Sequence, residues 1–186
     1  LYALVDHSGE ILNIPGQPYY RKWWPNGSGR YMENLFYTDS GRIARIAEYS
    51  DKELKVKNGL YLTFHSNGMM KDSGYYVNNK KQGVHAGWYE DGEQYYMKKY
   101  KDDIPVDTCY TFMSDGQLAS VSITDSLGNG LYQQYRSGGK VLLIGRLLGG
   151  NRNGIWQLKR EDGSKRMEIN YLKDSITQTI CFDTDG

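Results

Sequence analysis

The chain has 186 residues, a length typical of one or at most two domains with a real hydrophobic core. Its 23 Lys and Arg residues balance 22 Asp and Glu residues, which excludes the strongly basic character that non-specific nucleic-acid binding needs. Two cysteines exclude a disulfide-stapled scaffold, and the longest aliphatic run, Val141–Ile144, is far too short to span a membrane. The 17 Tyr, 4 Trp and 22 Gly residues favour strands joined by tight turns, so the composition predicts an all-β protein.

Residues 1–58 predict irregular N-terminal hairpins, because aromatic residues twice precede a turn glycine, before Gly27 and before Gly41. The opening residues have no basic flank and no long apolar run, so we expect no signal peptide in this sequence. Residues 42–56 allow two interpretations. The spacing of their apolar residues is nearly helical, but the register of the repeats that follow favours a strand over Arg42–Tyr49 and then a longer loop.

A repeat of 23 or 24 residues begins at Gly59, and its turn glycines are Gly68, Gly92, Gly116, Gly139 and Gly163. Four of them directly follow Asn or Asp, a pair that favours positive φ at both central positions of a two-residue hairpin turn. We therefore predict an all-β fold of tandem antiparallel β-hairpins that form one elongated sheet or open solenoid. In this interpretation 1–186 is a single repeat domain, with regular repeats at 59–176 and a partial terminal unit at 177–186.

Each repeat has two aromatic positions three residues apart, which point to opposite faces of a sheet. The first position holds Tyr61, His85, Cys109, Tyr132 and Trp156. The second position holds Phe64, Trp88, Phe112, Tyr135 and Lys159. We predict that Phe64, Trp88, Phe112 and Tyr135 form a buried structural ladder. The binding surface is then expected on the opposite face, at Tyr61, His85, Tyr132 and Trp156.

The two cysteines lie about three repeat periods apart in the sequence. Stacked hairpins would therefore separate them by far more than the roughly 7 Å between Cα atoms that a disulfide allows. We predict that Cys109 and Cys181 are free thiols, and that Cys109 replaces a core aromatic residue in its repeat.

The segment Gly59–Gly68 and its counterparts at 83–92, 130–139 and 154–163 resemble the bacterial variant of the MORN repeat, which carries Gly-x-Trp/Tyr-x-x-Tyr/Phe-x-x-Asn/Asp-Gly in tandem hairpins. The resemblance implies a β-hairpin sheet and a role in protein interaction or scaffolding, and some members of that family are labelled antitoxin components. Asp107, Cys109 and Lys159 depart from the family pattern. The segment Gly87–Gly92 is also similar to the aromatic cell-wall-binding repeats that hold choline or glycan, but the wider unit fits the MORN variant better.

No group of residues in the sequence predicts catalysis or metal binding. His65 and His85 stand at different positions of the repeat, and His7 precedes it, so they are not expected to converge on a metal ion. The acidic cluster within 102–107 is interpreted as a solvated loop. The sequence contains no nucleophile elbow and no phosphate-binding loop. We therefore predict no catalytic residue, no metal and no cofactor, and a protein that is not an enzyme.

These observations predict a repeat module that binds a protein partner or acts as a scaffold, as an antitoxin-like or envelope-associated protein. The alternative is glycan or cell-wall binding through exposed Tyr and Trp side chains of the repeats. Neither nucleic acid nor a membrane span is expected. The compartment stays open, because a targeting segment removed from this sequence would favour export or the cell envelope, and otherwise the cytoplasm is expected.

Overall fold

The structure is a computed structural model that describes residues 10–13 and 19–183. His7 and the last three residues of the partial terminal unit therefore lie outside the described residues. All regular secondary structure in the described residues is β-strand, which confirms the predicted all-β fold of tandem antiparallel hairpins. Within these residues no helix is long and apolar enough to cross a membrane. The chain forms two compact units, Leu1–Glu93 and Gln94–Gly186.

In the first unit each strand pairs antiparallel with the next one along the chain. The strands are β1 (Glu10–Asn13), β2 (Tyr19–Pro25), β3 (Tyr31–Tyr37), β4 (Ile43–Tyr49), β5 (Lys57–Phe64), β6 (Met70–Val77) and β7 (Lys80–Trp88). Strand β4 and the loop that follows it confirm the extended interpretation of residues 42–56 and exclude the helix.

The second unit repeats the same consecutive antiparallel pairing. Its strands are β8 (Gln94–Lys101), β9 (Ile104–Phe112), β10 (Leu118–Thr124), β11 (Gly130–Tyr135), β12 (Val141–Leu148), β13 (Asn151–Lys159), β14 (Lys165–Leu172) and β15 (Ser175–Cys181). All seven residues of β15 are exposed.

The five turn glycines close hairpins as predicted, but the type of turn differs from the prediction. Each glycine has φ between +77° and +91° and donates its N–H to the carbonyl three residues earlier. The Asn or Asp before four of these glycines does not have positive φ, so the two-residue turn expected there is wrong. Its side chain instead accepts a hydrogen bond from the backbone two residues on, as Asn67 does from Met69 at 2.9 Å. This bond fixes a tight turn followed by one left-handed glycine.

Two-residue turns with positive φ at both positions occur at the opposite ends of the strands. They are Asn78–Asn79, Asp102–Asp103, Gly149–Gly150 and Lys173–Asp174. The strands resume immediately after each pair, so the acidic residues Asp102 and Asp103, interpreted from the sequence as part of a loop, form a tight exposed turn. Their φ values match the type I′ geometry that suits the twist of a two-residue hairpin.

Three of the repeats carry a large β-bulge directly after these tight turns. Strand β7 places residues 83–85 opposite the single residue Gly74, strand β9 places 107–109 opposite Lys98, and strand β13 places 154–156 opposite Gly145. The first residue of each bulge has positive φ, between +65° and +70°. A bulge of this kind disrupts the ladder of backbone hydrogen bonds and leaves peptide groups in need of other partners.

The third residue of each bulge supplies that partner through its side chain. Trp156 Nε1 donates a hydrogen bond to the Arg146 carbonyl at 3.1 Å, and Cys109 Sγ donates to the Lys99 carbonyl at 3.8 Å. His85 Nε2 lies 2.9 Å from the Tyr75 carbonyl and 3.3 Å from the Tyr75 backbone nitrogen. In the tautomer that carries the proton on Nε2, this atom donates to the carbonyl, as the side chains of Trp156 and Cys109 do.

The residue opposite each bulge is matched in size to the side chain that folds over it. A Cβ added at Gly74 would overlap the imidazole of His85, and one added at Gly145 would overlap the indole of Trp156. Lys98 stands at the same place only where the small Cys109 replaces the ring. The repeats therefore pair a large side chain with glycine and a small side chain with lysine, which is the steric complementarity expected of a close-packed interior.

The structure reverses the predicted assignment of the two faces. Trp156 is 1% exposed and His85 is 3% exposed, so the prediction of an open binding surface through these two residues is wrong. Their side chains must turn inward to reach the carbonyl beside the bulge. The second-position residues Phe64, Trp88, Phe112 and Tyr135 lie on the other face and are half-buried, so the structure buries them less than Trp156 and His85.

We expect Gly92→Val to lower the free energy of unfolding by about 1–3 kcal/mol, because valine is strained at positive φ. Gly92→Asn is the matched control and should cost less, because asparagine tolerates left-handed backbone. Chemical denaturation of the three proteins measures both effects. Equal midpoints for the valine and asparagine variants would contradict the backbone explanation.

We expect the cost of Gly145→Ala to depend on Trp156. In the wild-type chain the new methyl group meets the indole and should destabilise by about 1–3 kcal/mol. In a Trp156→Cys background, which copies the natural pair at Lys98 and Cys109, the same substitution should be nearly neutral. A double-mutant cycle by denaturant unfolding measures the coupling. An identical loss of unfolding free energy in both backgrounds would show that Gly145 is not needed to make room for the indole of Trp156.

Candidate interaction surfaces

The first-position residues of the first unit belong to an aromatic cluster on its buried face. Tyr76 makes edge-to-face contacts with both Tyr61 and His85, with ring centroids 5.3 Å apart in each pair. The ammonium group of Lys57 lies 4.7 Å from the centroid of Tyr61 and 5.0 Å from that of Tyr76. Such cation–π contacts cover the rings, so the cluster offers little free aromatic surface to a ligand.

The second unit builds the same cluster from its own first-position residues. Tyr132 and Trp156 have ring centroids 5.3 Å apart, and Tyr171 lies edge-on to the indole. Arg152 covers this cluster, with its guanidinium carbon 4.7 Å from the Tyr171 centroid, and it is held there by Asp174 at 3.2 Å. The structure therefore brings Tyr132 and Trp156 together as core, as it does Tyr61 and His85 in the first unit.

His65 and two arginines connect successive repeats at the end that carries the turn glycines. His65 Nε2 lies 2.9 Å from the Trp88 carbonyl, and Arg136 donates to the Lys159 carbonyl at 2.7 Å. Arg160, one repeat later, donates in the same way to the Phe182 carbonyl. His65, Arg136 and Arg160 occupy the same position of the repeat and make the same kind of contact. We therefore interpret His65 as a link between hairpins and not as a metal ligand.

One acidic side chain among the described residues is buried, Glu33, and it is fully enclosed in the first unit. Its Oε2 accepts hydrogen bonds from Arg45 Nε at 2.9 Å and from the Tyr49 hydroxyl at 3.1 Å. Its Oε1 lies 2.7 Å from Arg21 Nε, an ion pair without the alignment of a hydrogen bond. Two guanidinium groups thus neutralise this carboxylate, so it is poorly placed to act as a general acid or base.

Burial and the Glu33 charge shift the ionisation of the neighbours of this carboxylate. Burial raises the pKa of the Tyr49 phenol well above its usual value, and the adjacent Glu33 charge raises it further. Burial on its own would lower the pKa of Arg45, but the interactions with Glu33, Tyr49 and Tyr61 together outweigh it, and the pKa is raised. Both shifts keep Arg45 charged and Tyr49 protonated, which is the protonation state in which both residues donate hydrogen bonds to Glu33.

The other acidic candidates are on the surface. Asp107 pairs with Lys99 at 3.1 Å, and this contact lowers the pKa of its carboxyl group. Asp102 and Asp103 occupy the two positions of a tight turn. Across the part of the chain that the structure describes, no three His, Cys, Asp or Glu side chains come together in a way that could hold a metal ion.

Cys109 and Cys181 are both free thiols, as predicted, and Cys109 is buried. A pocket of about 360 Å³ lies beside Cys109, where the larger rings of the other repeats are missing. Its lining includes the ring of Tyr132 and the hydroxyls of Thr111 and Ser120, whose oxygens lie 2.6 Å apart. With Trp156, Lys98 and Asp174 also in the lining, the pocket is chemically suited to a small polar ligand.

The open face of the second unit carries a set of exposed aliphatic side chains that the sequence interpretation missed. We call it the aliphatic stripe, and its members are Ile123, Leu131, Leu148, Ile155 and Leu172. Each is between 51% and 59% exposed. Ile123 and Leu131 are direct partners across β10 and β11, and Leu148 is the diagonal neighbour of Leu131. Clustered exposed aliphatic side chains are typical of interaction surfaces.

A groove of about 640 Å³ runs through the aliphatic stripe. Leu131 and Leu148 form its apolar walls, and Arg146 and Asn153 contribute its polar groups. Arg146 is exposed, and its side chain makes no ion pair with any acidic residue of the described ranges. The groove therefore combines aliphatic contact area with an uncompensated positive charge.

A sequence signal for the stripe does exist. The residue directly after the first glycine of the repeat is Leu60, Val84, Leu131 or Ile155 in four repeats, and each of these is at least 40% exposed. A recurring aliphatic residue next to a recurring aromatic one is an ordinary feature of a strand with two covered faces. The pattern becomes informative only once the neighbouring aromatic residue is known to be the buried one.

We expect Glu33→Gln to lower the free energy of unfolding by about 3 kcal/mol, because it leaves Arg21 and Arg45 without their counter-charge. The exposed Glu53→Gln is the control and should change stability by less than about 0.5 kcal/mol. Denaturant unfolding measures both values. A stable Glu33→Gln protein would show that the ion-pair network contributes no net stability to the first unit.

A scan of protein-family models found none that matches the chain, and a search of curated proteins found no significant match.

Proposed function

We propose that this chain is a non-enzymatic repeat module that binds a protein partner through the aliphatic stripe of its second unit. The observation that carries the proposal is the exposure of five aliphatic side chains on one face, each more than half exposed. Burial of such side chains against another protein is favoured by about 25 cal/mol per Å² of apolar surface. A scaffolding, antitoxin-like or envelope-associated role is one form of this function, and it rests on the resemblance of the repeats.

The chemistry of the two faces favours protein over glycan. Glycan surfaces use exposed aromatic rings with a polar edge, whereas Trp156 is buried and Tyr132 is packed against it. The stripe consists of Ile and Leu, which have neither a flat ring nor a polar group, and Phe112 and Tyr135 on the same face are half-buried. Aliphatic side chains of this kind match the apolar core of a protein interface.

A second candidate is a sugar-sized ligand in the pocket beside Cys109. The juxtaposition of the Tyr132 ring with the Thr111 and Ser120 hydroxyls supports it. This candidate uses the buried face and not the aliphatic stripe, so the two functions respond to different substitutions.

Site-specific photocrosslinking in the native cell tests the proposal. A benzoylphenylalanine placed at Ile155 should form a covalent adduct with one protein, because this side chain projects from the stripe. The same photocrosslinker at Gln178, exposed on β15, is the positional control. The crosslinked protein is then purified, and its affinity for the chain is measured. Leu148→Ser should weaken binding by about tenfold or more, since it removes a hot-spot side chain without disturbing the core.

Three outcomes decide between the candidates. Binding that Leu148→Ser weakens and Ile176→Ser leaves unchanged supports the stripe, because Ile176 is equally exposed on β15. A partner that binds both variants like the wild type contradicts it. Glycan-array binding that Thr111→Val abolishes and Leu148→Ser does not would replace the proposal with the second candidate.

A further inference from the structure

The positive charge of Arg146 in the groove indicates which chemical group a partner segment would place there. Arg146 stands between Leu131 and Leu148 on the open face of the second unit, and no acidic side chain of the described residues pairs with it. Asp125, on the turn before β11, is engaged by its own turn: it accepts hydrogen bonds from the Leu127 and Asn129 backbones at 2.8 and 2.9 Å. The groove therefore offers a guanidinium that has no counter-charge among the residues that the structure describes.

The backbone of Arg146 is held rigidly from the opposite face. Its carbonyl accepts the hydrogen bond from the indole of Trp156, which is 1% exposed. The strand position of Arg146 is thus fixed by the core, and only the side chain remains free to adapt. A guanidinium on a rigid strand loses less conformational entropy on binding than one on a mobile loop.

Equivalent positions in the other bulged repeats carry different side chains. Tyr75 stands there in β6 and Lys99 in β8, and Lys99 is already paired with Asp107. Tyr75 lies 3.5 Å from Arg30 through its hydroxyl. Arg146 is the member of this set whose charge is uncompensated, and it is the one flanked by the aliphatic stripe.

We propose that this groove binds a segment of the partner protein that places an Asp or Glu carboxylate on Arg146 between two aliphatic side chains. The inference rests on the proposed function and adds the identity of the recognised group. The planar guanidinium can receive a carboxylate through two parallel hydrogen bonds, which a lysine cannot reproduce. The aliphatic walls exclude water from this pair and so strengthen it.

The test uses a displayed library of random dodecapeptides selected against the intact chain. Enriched peptides should carry Asp or Glu next to aliphatic residues. A synthetic copy of the strongest peptide is then titrated by fluorescence anisotropy against the wild type, Arg146→Glu, Arg146→Lys and Leu148→Ser. Arg146→Glu should weaken binding at least about tenfold, and Arg146→Lys should weaken it less. Selection against Arg146→Glu should enrich basic peptides instead.

Each alternative result has a defined meaning. Peptides that depend on Leu148 but lack an acid and bind Arg146→Glu unchanged would overturn this inference and leave the proposed function standing. Peptides whose binding changes with neither Arg146→Glu nor Leu148→Ser would overturn the inference of an acidic partner segment. The same holds if no peptide is enriched at all. Either result would also count against the stripe as a surface that binds peptides. Sedimentation of the wild type as a dimer that Leu148→Ser converts to a monomer would show that a second copy covers the stripe, which also overturns the inference.

Discussion

The hydrogen bond from the third bulge residue to the carbonyl across the strand is the interaction on which the rest of this structure depends. Each bulge breaks the backbone ladder, and a broken ladder in a buried sheet costs free energy unless another group satisfies the peptide. His85, Cys109 and Trp156 differ in size and aromaticity, but each places a hydrogen-bonding atom of its side chain beside the carbonyl across the bulge. The requirement for a hydrogen-bonding side chain explains how three such different residues occupy one position of the repeat.

This requirement also decides which face can take part in binding. A side chain that must reach a carbonyl across its own strand turns inward, and it needs an opposite residue small enough to admit it, as Gly145 admits Trp156. The aromatic rings that the sequence marks most strongly are consequently used in folding. The proposed binding therefore uses residues of opposite parity, where the repeat imposes no such hydrogen bond and the side chains are free to vary.

The hairpins and the positions of their turn glycines could be predicted from the sequence, because an Asx–Gly pair between two β-rich runs has few alternatives. The turn type could not, because the extra hydrogen bond from Asn67 or Asp91 to the backbone favours a different loop from the one the dipeptide suggests. The faces could not be assigned either. Period-two alternation separates the residues into two sets, but both sets contain aromatic residues, and a bulge is not visible in a hydrophobicity pattern.

The same reasoning limits what the repeat pattern can say about function in this chain. The glycines, the first-position residues and the asparagines or aspartates before the turns all have structural partners in the described residues, so their recurrence reflects one hairpin built several times. Specificity for the proposed partner must therefore come from positions at which repeats with the same backbone carry different side chains. Tyr75, Lys99 and Arg146 share one backbone position, and their carbonyls receive the same hydrogen bond, yet their side chains present a phenol, a paired ammonium and an uncompensated guanidinium. A partner that contacts one of these side chains would distinguish its repeat from the others without requiring any change in the fold that supports it.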